Sequence, residues 1–82
     1  MKILLLEDDF SYRVSVAEYL RSLGYEVDEA GNGETACNKI AENSYHLLIL
    51  DVKVPEISGF EVLKYARNIG LKTPTMMMTS LT

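Results

Sequence analysis

The sequence predicts an α/β fold built on a parallel sheet, and three observations predict it. Two continuous apolar runs, Lys2-Ile3-Leu4-Leu5-Leu6 and His46-Leu47-Leu48-Ile49-Leu50, have the pattern of strands buried on both faces. Segments with helical spacing alternate with strand-like segments along the whole chain, which implies parallel strands joined by right-handed crossovers. Each apolar run also ends in acid: Glu7 and Asp8 close the first, Asp51 the second.

The elements follow in order. After the strand Lys2 to Leu6, the residues Phe10, Val14, Ala17 and Leu20 or Leu23 recur at helical intervals, and Gly24 is placed to end that helix. Tyr25-Glu26-Val27-Asp28-Glu29-Ala30 alternates apolar and polar residues, as a half-exposed edge strand does. Gly31-Asn32-Gly33 reads as a turn, and Ala36, Cys37, Ile40 and Ala41 trace a short amphipathic helix ending near Asn43. His46 to Leu50 is the second central strand, and Pro55 stops its regular pairing. Ser58, with Glu61 three residues later, forms a capping box for a third helix carried by Phe60, Leu63, Ala66 and Arg67 or Ile69 and closed by Gly70. Thr73-Pro74 restarts the chain, and Thr75-Met76-Met77-Met78-Thr79 reads as a fourth strand.

Composition narrows the classes of function. Of the 82 residues, 48% are hydrophobic and 24% charged, and the net charge of −4 is spread along the chain. No basic patch marks a nucleic-acid surface, so direct nucleic-acid contact is not expected. The apolar stretches are too short to cross a bilayer and no signal-peptide pattern opens the chain, so a cytoplasmic location and no membrane partner are expected. The single cysteine, Cys37, cannot form an internal disulfide and reads as a small core hydrophobe. His46 reads as a surface or edge residue, and Met76 to Met78 as core filling.

The acids carry the chemistry. If the two apolar strands lie side by side, Glu7, Asp8 and Asp51 converge at the edge where open α/β sheets bind ligands. Converging carboxylates repel one another unless a cation sits among them, and Mg²⁺ suits hard oxygen ligands. Taken singly, each residue has a plainer reading. Glu7 and Asp8 could cap the first helix with Asp9, Asp51 could be a turn residue before Pro55, and Thr79 could be an ordinary β-branched strand residue.

Together the residues resemble a family. Ile3-Leu4-Leu5-Leu6-Glu7-Asp8-Asp9, then Leu48-Ile49-Leu50-Asp51-Val52-Lys53-Val54-Pro55 with Gly59, then Thr73-Pro74 leading to Met78-Thr79-Ser80, resemble the receiver domain of bacterial two-component response regulators. The resemblance implies a flavodoxin-like (CheY-like) α/β/α sandwich with strand order 2-1-3-4. Residues 1–82 then correspond to the N-terminal part of such a domain, through the fourth strand and without its last α-β-α elements. It further implies that Asp51 accepts a phosphoryl group from a sensor histidine kinase, with Mg²⁺ held by Glu7, Asp8, Asp51 and the backbone carbonyl of Lys53. Thr79 is implied as the switch hydroxyl. The parent protein is implied to be a transcriptional response regulator, and the first helix, with Tyr12, Arg13, Ser15 and Val16, to present a kinase-docking face.

Two rival readings separate from this one on chemistry. A phosphatase working through an aspartyl phosphate needs a second acid two residues after the nucleophile, where this chain has Lys53. A receiver acting only as an interaction or dimerisation module needs none of the acids. The lysine that the family carries on its fifth strand has no counterpart here. A sheet ending at the fourth strand leaves Thr75 to Thr79 as an edge, so a homo-oligomer through that strand or through an uncovered sheet face is expected.

Overall fold

The computed structural model describes residues 1–79. Its elements are β1 (Lys2–Leu6), α1 (Phe10–Ser22), β2 (Glu26–Ala30), α2 (Gly33–Glu42), β3 (Leu47–Asp51), α3 (Gly59–Asn68) and β4 (Thr75–Met78). The strands form one sheet ordered β2-β1-β3-β4, with all three pairings parallel. This is the predicted α/β class and strand order, and the order follows from burial. The two fully apolar strands take the centre, where both faces are covered, and the alternating strand β2 takes an edge.

Alternation inside the apolar runs divides the core in two. Leu4, Leu6, Leu48 and Leu50 face α2 and α3 and pack with Ala36, Ile40, Val62 and Ala66. Ile3, Leu5 and Ile49 face the other way and pack with Ala17 and Val27. Helix α1 therefore covers β1 and β2 on one face, while α2 and α3 lie together on the other. Half-buried Met77 and Met78 continue the two faces onto β4, and Met76 is 55% exposed. Among the described residues β4 pairs with β3 alone.

Side chains define the helix starts. Asp9, Asn32 and Ser58 each accept a bond from the backbone N–H three residues on, satisfying donors that a helix leaves free. The Gly31-Asn32-Gly33 turn is thus also the cap of α2. Gly24 and Gly70, at φ +94° and +89°, turn the chain out of α1 and α3 where the sequence places the ends.

Three apolar helix positions differ from expectation, the first being Ala41 of α2, which is exposed. Phe10 and Phe60 are 68% and 57% exposed. The sheet-facing stripe of α3 runs through Gly59, Val62 and Ala66, one residue ahead of the stripe that begins at Phe60. On α1 only Ala17 is fully buried, with Val16 and Leu20 beside it. Phe10 lies against the Arg13 guanidinium instead, 5.4 Å from ring centre to Cζ. The expected docking face of α1 divides accordingly. Tyr12 and Ser15 are exposed, whereas Val16 packs on the core and Arg13 turns inward. No helix among the described residues is long and apolar enough to cross a membrane.

Candidate functional site

The parallel pairing of β1 with β3 sets Leu6 opposite Leu50, so the residues that follow, Glu7 and Asp51, leave the sheet side by side. Asp8 is one residue further. One carboxylate oxygen from each of Glu7, Asp8 and Asp51 lies within 4.8 Å of the others. Asp51 is fully buried, Glu7 is 2% exposed, and Asp8 faces solvent. The cluster is a buried floor of two acids with an exposed third at its rim.

Local bonds hold these acids. The Asp51 Oδ1 accepts the Lys53 backbone N–H at 3.1 Å, and Asp51 Oδ2 is buried without a hydrogen-bond partner among the described residues. The Glu7 carboxylate accepts the Asp9 N–H at 3.1 Å, while the Glu7 backbone donates to the Ala30 carbonyl and accepts from Arg13. Burial pushes the Glu7 carboxyl up to about 7. The Asp9 N–H partly opposes this, and the carboxyls of Asp51 and Asp8 raise it further. A proton on Glu7 relieves repulsion in the cluster, and a cation does so more completely. The unpartnered Asp51 Oδ2 among three carboxylates fits a hard divalent cation that takes oxygen ligands.

Two neighbours complete the site, one of them Gly59, which the sequence motif includes without showing what it touches. Gly59 packs directly on the Asp51 backbone, where a Cβ would overlap the Asp51 carbonyl oxygen and come within 2.9 Å of its carbonyl carbon. A cleft of about 220 Å³ also opens beside Asp8, between the turn at Asn32 and the loop of Pro55 and Glu56. Lys53 lies in that loop with its side chain exposed. Thr79 is exposed and sits one residue past Met78, the register partner of Asp51, at the same end of the sheet. Ser80, the last residue of the motif, lies outside the described residues.

A family model described as the response regulator receiver domain matches residues 3–82. This chain belongs to the response regulator receiver domain family. It is 44% identical over 81 residues to the transcriptional regulatory protein CrdR of Helicobacter pylori, covering 98% of this chain and 38% of that protein. Solved receiver structures share the fold. The chemotaxis protein CheY4 of Vibrio cholerae superposes with a TM-score of 0.92 at 35% identity, covering 99% of this chain and 69% of that one. The response regulator TrrA of Thermotoga maritima, solved in complex with Mg(2+)-BeF, gives 0.91 at 36% identity, covering 99% and 70%. The receiver thus spans well under half of its curated relative and about two thirds of these solved chains.

Proposed function

We propose that this receiver domain takes a phosphoryl group on Asp51 from a phosphohistidine of a sensor kinase, with Mg²⁺ held by Glu7, Asp8, Asp51 and the Lys53 carbonyl. The observation that carries the reading is the convergence of the three carboxylates around the unpartnered Asp51 Oδ2. It is a signalling module. The transcriptional relative CrdR supports transcriptional control as the role of the parent protein.

The residues divide the work. The Lys53 N–H fixes one Asp51 oxygen and thereby orients the carboxylate. Asp51 attacks phosphorus, the P–N bond breaks, and its electron pair returns to the imidazole nitrogen. Glu7 and Asp8 hold the cation, which when bound offsets the charge that otherwise keeps a carboxylate from a phosphoryl group. Thr79 supplies a hydroxyl donor to the new phosphoryl oxygens, which need donors once their charge arrives. Labelling by a small phosphodonor tests the reading. A receiver stops near one equivalent, a phosphatase turns the donor over, and an interaction-only module takes none.

The cation and the Glu7 proton compete. Glu7 has its folded pKa, about 7, above the ordinary value of 4.5. Its contribution to the stability of the metal-free domain is therefore full below about pH 4.5 and lost as the pH rises through about 7. Mg²⁺ affinity runs the opposite way, rising about tenfold per pH unit below pH 7 and levelling above it. Calorimetric titration with Mg²⁺ across this range checks the slope, and a flat profile contradicts Glu7 as a ligand.

Among the described residues β4 pairs with β3 alone and Met76 is exposed, which supports self-association through that strand as a further property. Light scattering over a concentration series is expected to show a dimer or larger species. A monomer at all micromolar concentrations contradicts that expectation.

A further inference from the structure

Arg13 occupies an unusual place for a cation. It lies on the α1 face that also carries Val16, Ala17 and Leu20, and its side chain is only 16% exposed. Its Nε donates to Glu29 Oε1 at 3.3 Å, and its Nη1 donates to the Glu7 backbone carbonyl at 3.0 Å. Glu29 is gripped from the other side by Arg21, which also holds the Val27 carbonyl at 2.7 Å. The Arg13 fork is thereby anchored on β2 while it reaches the end of β1.

The carbonyl that Arg13 holds belongs to the peptide joining Glu7 to Asp8. That peptide is planar, so fixing its oxygen fixes the direction in which Asp8 leaves the strand. Gly31 leaves the passage open, since a Cβ there would lie 2.9 Å from Arg13 Nη1. We propose that Arg13 is a positioning residue of the acidic site, setting the Glu7–Asp8 peptide so that both carboxylates meet Asp51. This rests on the Mg²⁺ and phosphoacceptor reading above. Arginine suits the role because its rigid fork serves two acceptors at once, which a lysine ammonium on a flexible stem does less well.

A merely structural role predicts a different pattern, because Arg21 shares Glu29 without touching the acidic turn. Mg²⁺ dissociation constants and thermal midpoints are compared in this chain and its Arg13→Ala, Arg13→Lys, Arg21→Ala and Gly31→Ala variants. Arg13→Ala is expected to weaken Mg²⁺ roughly tenfold, the scale of lost outer-shell support, and Arg13→Lys to restore part of that loss. Arg21→Ala is expected to lower the midpoint and leave the Mg²⁺ constant within about twofold.

Gly31→Ala displaces only the tip of a flexible side chain at a glycine whose φ is not positive. It therefore decides the matter even where Arg13→Ala fails to fold. Weaker Mg²⁺ binding at a near-normal midpoint supports the proposal, and an unchanged constant overturns it. Absence of Mg²⁺ binding by the unaltered protein overturns both the proposal and the reading beneath it. Binding there, with the same constant in every variant, overturns the role of Arg13 alone.

Discussion

Asp51→Asn is expected to abolish labelling by a small phosphodonor while making the metal-free domain more stable. The two effects share one cause. Asp51 is fully buried, with one oxygen on the Lys53 N–H and the other unpartnered, beside a Glu7 carboxyl pushed up to about 7. The substitution removes both the nucleophile and a buried charge, and stability is expected to rise by about 1–2 kcal/mol. Added Mg²⁺, which stabilises the unaltered domain by binding its folded state, loses most of that effect. Asp9→Asn is the control. Asp9 caps α1 through Tyr12, a role asparagine fills equally well, so labelling falls far less. Urea unfolding with and without Mg²⁺, alongside labelling, measures both effects. Labelling that survives Asp51→Asn contradicts the assignment.

Gly59→Ala is expected to damage the site from behind. The added methyl group meets the Asp51 carbonyl, and backbone at the centre of a sheet cannot swing aside as a side-chain tip can. Overpacking of this kind costs about 1–3 kcal/mol, and here the displaced residue is the phosphoacceptor itself. Labelling should slow together with the loss of stability. Gly70→Ala separates the two effects. Gly70 has φ +89° and open space around it, so alanine there strains the backbone but leaves Asp51 in place. Its labelling rate is expected to match that of the unaltered domain. Equal labelling by both variants contradicts the view that Gly59 sets the position of Asp51.

Much of this arrangement was legible in the residues. A run such as Leu4-Leu5-Leu6 stays apolar at every position only when both faces are covered, so the two central strands were plain, and with them the acids at their ends. The start of α2 at Gly33 and the exposure of Phe60 were less plain, because side-chain capping and a one-residue offset of the buried stripe depend on the packed structure. The sequence alone places Arg13 on an exposed helix face, since nothing local shows that the end of β1 offers it a carbonyl. That contact requires β2 to bring Glu29 and Gly31 alongside, far away in sequence. Gly59 stood in the motif, but its contact with the Asp51 backbone is a fact of three dimensions.

The central claim is that Asp51, served by a cation at Glu7 and Asp8, accepts a phosphoryl group. Intact-mass measurement after incubation with an acyl-phosphate donor, with and without Mg²⁺, tests it most directly when the modified residue is then trapped and mapped. One phosphoryl group per chain, present only with Mg²⁺ and located on Asp51, is the predicted result. Modification at another residue, or none under conditions where Mg²⁺ binds, would contradict the account.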